Sequence, residues 1–160
     1  MKMTTCCYIR RDDEVLMLHR TKKEVDINKG KWVGVGGKFE NGESPVECVI
    51  REVREETGLT LIEPHLAAMV TFNFLNPAPE LNDWDTEYMF VFVCDQFEGE
   101  IKSEDTDEGF LCWIPQDALS GLNLWEGDAL FMAPVLGGAP FFSMKIVYQG
   151  DEVVSWSLDL

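Results

Sequence analysis

Apolar and polar positions along this chain predict a sheet-rich fold with few helices. Short runs of β-branched and aromatic residues, several with apolar and polar side chains alternating, are typical of strands. The last two runs flank residues 149–151 and predict a terminal hairpin. A loop is expected over 75–85, and short helices over 115–119 and 127–136. The predicted strands cover residues 4–9, 15–19, 32–37, 59–74 with a break at 63–64, 87–94, 110–114, 141–148 and 152–158.

One helix is marked at both of its ends. Ser44 is a favoured N-cap, Pro45 suits the first helical position, and Glu47 completes a capping-box pattern with Ser44. Gly58 supplies the left-handed residue at which helices commonly end. These signals predict a helix over 45–57.

Two stripes of side chains run along this helix, one apolar and one acidic. Successive residues of a helix are rotated by about 100° around its axis, which brings each set onto one face. Carboxylates three or four positions apart repel one another, and the macrodipole disfavours negative charge in the C-terminal half. The acidic stripe therefore needs solvent, with Arg51 and Arg54 as ordinary ion-pair partners, or a cation. The apolar stripe, which is expected to pack, consists of Val46, Val49, Ile50 and Val53, and the acidic stripe of Glu52, Glu55 and Glu56.

The approach to the helix is rich in glycine. Gly34, Gly36, Gly37 and Gly42 lie within nine residues, so the backbone there can approach a ligand closely. A carbonyl oxygen from this loop, together with helix carboxylates, forms the hard oxygen environment that Mg²⁺ takes, usually with substrate phosphates; Mn²⁺ suits similar ligands. The sequence therefore predicts a divalent metal site between loop and helix.

Composition places the chain among globular proteins. With 160 residues, 46% hydrophobic residues and a mean hydropathy of -0.09, a single domain over 1–160 is expected, with no internal repeat or linker. The strands and helices predict an α+β fold, an α/β/α sandwich with a mixed central sheet. No apolar run is long enough to span a membrane, and the first residues lead into a strand and not into a signal peptide. Five cysteines without CxxC spacing favour a reducing, cytoplasmic location.

The charge is strongly acidic and unevenly distributed. A net charge of -16 argues against general binding to nucleic acid or anionic membranes. Residues 1–54 hold 11 basic and 9 acidic side chains, whereas the remaining 106 hold 2 and 20. A polyanionic substrate would therefore meet the N-terminal part and a metal, unless the acidity is that of an ordinary soluble protein. Arg20, at the end of a strand, and Lys38, in the glycine loop, are the candidate phosphate-binding cations; a surface role is the alternative.

The segment from Gly37 to Leu59 resembles the signature of the Nudix hydrolases, G-x(5)-E-x(7)-R-E-U-x-E-E-x-G-U, where U is aliphatic. Every specified position is occupied, over 23 residues, which makes the signal highly specific. The resemblance implies an α/β/α sandwich and a hydrolase that attacks phosphorus in a nucleoside diphosphate derivative with water. The matching residues are Gly37, Glu43, Arg51, Glu52, Val53, Glu55, Glu56, Gly58 and Leu59.

The same resemblance implies roles for individual residues. Glu52, Glu56 and the Gly36 carbonyl are the best metal ligands, joined by Glu55. Glu108, which lies five residues before Trp113 in a second acidic run, is similar in position to a further ligand, with Asp105 and Asp107 as rivals. Arg51 would pair with Glu43 and hold the loop against the helix. The catalytic set implied is Glu43, Arg51, Glu52, Glu55 and Glu56.

Beyond the signature, the chain resembles the MutT-type branch that hydrolyses oxidised purine triphosphates such as 8-oxo-dGTP. The shared stretches include Trp32, the strand with Phe72, and 125–128. In the similar mammalian enzyme a tryptophan stacks on the base and two adjacent aspartates read its edge. Trp125 and Asp128 match the tryptophan and the second aspartate, whereas Gly127 replaces the first, and Val33 replaces an asparagine. A core role is the alternative for Trp125.

This branch implies cleavage of the triphosphate to monophosphate and pyrophosphate, which sanitises the nucleotide pool and so serves DNA repair. One alternative is a Nudix pyrophosphatase for ADP-ribose, a dinucleotide or dihydroneopterin triphosphate. Another is a non-catalytic nucleotide-binding module, which a complete set of signature glutamates disfavours. The oligomeric state is not predicted.

Overall fold

The computed structural model describes residues 1–77 and 84–159, and these contain one extended sheet, two α-helices and a short two-stranded sheet. The helices are α1 (Pro45–Thr57) and α2 (Asp128–Leu136), and a 3₁₀ segment covers Gln116–Gly121. The strands are β1 (Lys2–Arg11), β2 (Glu14–Arg20), β3 (Trp32–Val33), β4 (Val35–Lys38), β5 (Thr60–Leu61), β6 (His65–Leu75), β7 (Thr86–Cys94), β8 (Phe97–Glu98), β9 (Gly109–Pro115), β10 (Phe142–Gln149) and β11 (Glu152–Asp159).

The large sheet is mixed, as predicted. Its order is β11-β10-β6-β7-β1-β2-β3, with β4 paired to β1 and β9 to β2. Strand β1 runs parallel to β7, and β10 runs parallel to β6, while the other pairs are antiparallel. Residues 4–7 of β1 pair with β4, and its last two residues pair with β2. This branching places the glycine-rich β4 beside the middle of the sheet.

The two helices cover opposite faces of this sheet. Side chains alternate along β1, so that Cys7 and Ile9 lie in one buried cluster and Cys6 and Tyr8 in the other. Helix α1 packs on the first cluster, mainly through Val49 and Val53. Helix α2 packs on the second, through Phe131, Met132, Val135 and Leu136. The α/β/α sandwich predicted from the sequence is therefore confirmed.

Local predictions agree with the structure where local signals decide them. The helix over 45–57 and the terminal hairpin are confirmed, and the break at 63–64 separates β5 from β6. The single strand expected over 32–37 is wrong, because its two halves pair with different strands, β3 with β2 and β4 with β1. Of the predicted loop over 75–85, positions 78–83 lie outside the described residues.

Three details of the helices differ from prediction. Val46 does not pack: it is 44% exposed, because the first turn of α1 faces solvent and burial begins at Cys48. The helix expected over 115–119 is a 3₁₀ segment, and α2 begins at Asp128 with Gly127 as its N-cap.

Among the described residues, no helix combines the length and apolarity needed to cross a membrane.

Candidate active site

Helix α1 begins and ends as its sequence predicts. The Ser44 hydroxyl accepts a hydrogen bond from the Glu47 amide at 3.1 Å, and the Glu47 carboxylate accepts from the Ser44 amide at 2.9 Å. At the other end Gly58 has φ +88°, and its amide donates to the Arg54 carbonyl at 2.9 Å. These caps fix the register in which the acidic side chains leave the helix.

The glycine loop lies directly against this helix and leaves no space for side chains. A Cβ on Gly36 would lie 2.0 Å from the Thr5 carbonyl oxygen of β1. A Cβ on Gly37 would lie 2.4 Å from the Glu52 carboxyl group. The two glycines are therefore required for different contacts, one with the backbone of the sheet and one with a carboxylate of the site.

Arg51 joins the loop to the helix. Its guanidinium donates to both carboxylate oxygens of Glu43, at 2.6 and 2.9 Å, and to the Lys38 carbonyl at 3.0 Å. It also donates to one oxygen each of Glu52, at 3.0 Å, and Glu55, at 3.2 Å. The hydrogen bonds from Arg51, helped by the Glu40 amide, lower the pKa of Glu43 to about 2. The contact expected between Arg51 and Glu43 is present, and it holds the loop closed over the helix.

Glu52 and Glu56 are partly withdrawn from solvent. Burial raises the pKa of each, and the negative charge of Glu108 raises both further. One oxygen of Glu56, Oε1, is buried without a hydrogen-bond partner in the described part of the chain. Such an oxygen is costly to bury unless a proton or a cation satisfies it.

Glu108 is the member of the second acidic run that faces this cluster. Its carboxylate lies 3.4 Å from the Arg20 guanidinium and 3.6 Å from the Lys23 ammonium. Asp105 instead pairs with Lys22. Of the acidic residues in this run, Glu108 is the one whose charge raises the pKa of Glu52 and Glu56, and its role as a ligand stays a prediction.

The donor set fits a divalent metal in chemistry, although its side chains are not gathered around one point. Among residues 1–77 and 84–159, no three Asp, Glu, His or Cys side chains lie close enough together to hold an ion. Glu55 is 60% exposed and is turned toward Arg51. The orphaned oxygen of Glu56 and the Glu52 carboxylate against Gly37 are the two features that match a metal ligand set. Both belong to a hard oxygen environment.

On the other face of the sheet lie the side chains expected to bind the base. Trp125 is 8% exposed; its indole N–H donates to Asn28 Oδ1 at 2.7 Å, and its ring packs edge-on against Tyr148. Phe72 is 6% exposed in the same cluster. The core role left open for Trp125 thus agrees with its burial, and only a small part of the indole is free for stacking.

Asp128 lies beside them as a buried carboxyl group. It is 8% exposed and makes no hydrogen bond through its side chain to the described residues. Burial, followed by the charge of Glu87, raises the pKa of Asp128 to about 7, while Lys31 opposes the shift. This carboxyl group can therefore donate or accept a hydrogen bond near neutral pH.

The two departures from the mammalian pattern have structural explanations. A Cβ on Gly127 would lie 2.5 Å from the Tyr148 hydroxyl, which accepts a hydrogen bond from the Gly127 amide at 2.7 Å. Tyr148 thus occupies the space that a side chain at 127 needs. Val33 packs against the α1 face of the sheet, whereas Trp125 and Asp128 lie on the α2 face. One carboxylate, Asp128, remains of the expected pair.

The candidate cations are placed differently from each other. Arg20 donates to Asp26 at 3.0 Å and pairs with Glu108, so it belongs to the acidic cluster. Lys38 is exposed at the end of β4.

Tyr148 and Glu87 were missed by the sequence reasoning, because their positions depend on strand pairings that no local pattern reveals.

A model of the NUDIX domain matches residues 2–134 of this chain. The chain belongs to the Nudix family. As a Nudix hydrolase, it acts on phosphorus anhydride bonds of nucleoside derivatives, and the surroundings of Glu52 and Glu56 are those of its signature helix.

Relatives of this Nudix hydrolase cover most or nearly all of its length. An uncharacterized Nudix hydrolase of Bacillus subtilis, YvcI, is 33% identical over 160 residues, covering 99% of this chain and 95% of the relative. The oxidized purine nucleoside triphosphate hydrolase of Danio rerio is 30% identical over 132 residues, covering 82% and 79%. The structure of a MutT protein from Bacillus halodurans superimposes with a TM-score of 0.86 at 31% identity, covering 99% and 98%.

Proposed function

We propose that this Nudix hydrolase cleaves an oxidised purine nucleoside triphosphate of the 8-oxo-dGTP type to the monophosphate and pyrophosphate. The observation that carries the proposal is the Asp128 carboxyl group, which is buried beside Trp125 without a partner among the described residues. A purine presents N–H donors and acceptors along its edge, and a buried carboxyl group with a pKa of about 7 can satisfy either kind. The Danio rerio relative, by its name, acts on such a substrate.

The hydrolytic end of the site is formed by the signature helix and the loop. Glu52, Glu56 and the Gly36 carbonyl would hold Mg²⁺ or Mn²⁺, with Glu55 and Glu108 joining them. When bound, this metal would supply charge neutralisation of the phosphates and activation of water. The protein residues do the positioning that makes this possible.

Arg51 and Glu43 hold the loop and the helix in position and do not transfer a proton. Their paired hydrogen bonds hold Lys38 and the glycine loop against α1, which keeps Gly37 in contact with Glu52. Both are therefore positioning residues of the catalytic set. A bidentate Arg–carboxylate pair fixes orientation better than a single contact does.

The substrate side combines aromatic and basic groups. The exposed part of Trp125, in the same buried cluster as Phe72, would support the purine, and Asp128 would bind its edge. Arg20 and Lys38 would bind the phosphates. All five cysteines are free thiols, which supports action on the nucleotide pool in a reducing compartment, the cytoplasm, where the reaction prevents incorporation of damaged bases.

The test is kcat/KM for 8-oxo-dGTP, dGTP and ADP-ribose with Mg²⁺, together with the identity of the phosphate product. We expect 8-oxo-dGTP to be preferred over dGTP, with pyrophosphate released. A preference for ADP-ribose would replace the proposal with a pyrophosphatase for another nucleoside diphosphate derivative. Binding of nucleotides without turnover would instead make the chain a nucleotide-binding module.

A further inference from the structure

A third cation, Lys2, lies on the substrate side of the sheet. It opens β1, where it pairs in register with Glu87 of β7. Alternation along β1 places Lys2 on the same face as Cys6 and Tyr8, which belong to the α2-side core. This is the face on which Asp128 is found.

Lys38 emerges from the same face. Its cross-strand partner in the β1–β4 pair is Thr4, and directly paired residues of neighbouring strands project to the same side. Thr4 is two positions from Lys2 and therefore shares its face. The register of two strand pairs thus brings the two lysines to one end of the sheet, next to the glycine loop.

The ammonium group of Lys2 is half-buried and makes no ion pair with a carboxylate of residues 1–77 or 84–159. Its Nζ lies 4.5 Å from the centre of the Trp84 ring. Its cross-strand neighbour, Glu87, accepts a hydrogen bond from the Thr4 hydroxyl at 2.6 Å. The Lys2 charge is thus held by an aromatic face, which leaves its N–H donors available to an anion.

Lys2 is influenced electrostatically by the two candidate phosphate-binding cations and by Glu87, which also influences Asp128. Burial lowers the pKa of Lys2; Glu87 and Asp26 oppose this, and the positive charges of Lys38 and Arg20 add to it. Glu87 also raises the pKa of Asp128. Two lysines on one face of the sheet, in a chain of net charge -16, favour a bound polyanion there.

We propose that Lys2 and Lys38 form a subsite for the polyphosphate chain of the nucleotide, with Lys2 as a substrate-binding residue that the family signature does not include. This inference rests on the proposed function for its natural ligand. Lys2 orients the phosphates between the Arg20 side of the site and the base, and it takes no part in proton transfer. Its removal weakens binding and leaves the chemical step unchanged.

The test compares Lys2→Met with Lys145→Met. Methionine keeps the length of the side chain and removes the charge, and Lys145 is an exposed lysine on the opposite face of β10. Loss of a charge-assisted hydrogen bond should raise KM for 8-oxo-dGTP about tenfold, with kcat changed less than about threefold. Lys145→Met should match the wild type, and Lys2→Arg should keep most of the affinity.

A second measurement separates this inference from the proposed function. In a calorimetric titration without metal, the affinity for inorganic tripolyphosphate should be about tenfold lower in Lys2→Met than in the wild type. The affinity of Lys145→Met for tripolyphosphate should equal that of the wild type. Equal affinities for tripolyphosphate in the two variants would overturn the subsite. This holds also if the melting temperature is lowered only in Lys2→Met, because Lys2 would then only anchor β1. If the wild type hydrolyses no nucleotide, the proposed function fails, and this titration still decides the role of Lys2.

Discussion

Replacing Gly37 with alanine places a methyl group where the Glu52 carboxylate lies. The added Cβ would be 2.4 Å from the carboxyl carbon, whereas an ordinary contact is at least 3.4 Å, so the carboxylate must move by about 1 Å. Displacement of a catalytic group by about 1 Å can cost about 100-fold in rate. We therefore expect kcat/KM to fall about 100-fold.

Stability should change little in this variant. Gly37 does not have a positive φ, so alanine can adopt its backbone conformation. The displaced group is the end of a flexible side chain, and a compatible Gly→Ala change gains about 0.4–1 kcal/mol from the unfolded state. The melting temperature should stay within about 4 °C of the wild type.

The assay is pyrophosphate release at saturating Mg²⁺, with melting followed by circular dichroism. Gly121→Ala is a matched control, because no atom lies within 4 Å of its added Cβ. Gly36→Ala is the opposite control: its Cβ would lie 2.0 Å from a backbone oxygen of β1, and we expect it to unfold the protein. Wild-type kcat/KM in folded Gly37→Ala would refute the importance of the Glu52 position.

Two further predictions concern the α2 face. Because the pKa of Asp128 is about 7 in the folded state and about 4 unfolded, the folded protein retains a proton that the unfolded chain releases, and wild-type stability falls as pH rises between these values. Asp128→Asn should remove this fall, so that between pH 4.5 and 8 its free energy of unfolding in urea rises by a few kcal/mol relative to that of the wild type. Parallel plots of unfolding free energy against pH for the two proteins would contradict the raised pKa. Gly127→Ala should lower the free energy of unfolding by about 1–3 kcal/mol, because the added methyl group overpacks against the Tyr148 hydroxyl. Tyr148→Phe should cost less stability in the Gly127→Ala background than alone, and additive losses would contradict the contact.

The sequence predicts most of what depends on neighbouring residues. The caps of α1 are local, so its bounds are correct, and the signature spacing brings Glu52 and Glu56 to one side of the helix. The division of 32–37 into β3 and β4 was not predictable, because it depends on which distant strand each half joins.

The substrate side was less predictable for the same physical reason. The burial of Trp125 follows from Tyr148 and Asn28, which lie 23 and 97 residues away in the chain. The contact between Gly127 and Tyr148 spans 21 residues, and Lys2 gains its position from the register of β1 with β7. Patterns within one element contain no information on such pairings.

The most direct test of the metal site is a titration of Mn²⁺ followed by electron paramagnetic resonance, with wild-type protein, Glu56→Gln and Glu47→Gln. Glu47 lies on the same helix, and glutamine can replace it in the capping box, so this variant should bind Mn²⁺ like the wild type. Glu56→Gln should melt normally, bind Mn²⁺ at least about tenfold more weakly and lose orders of magnitude in turnover. Equal Mn²⁺ affinity and equal turnover in the two variants would contradict the assignment of Glu56 as a ligand and, with it, the account of the site.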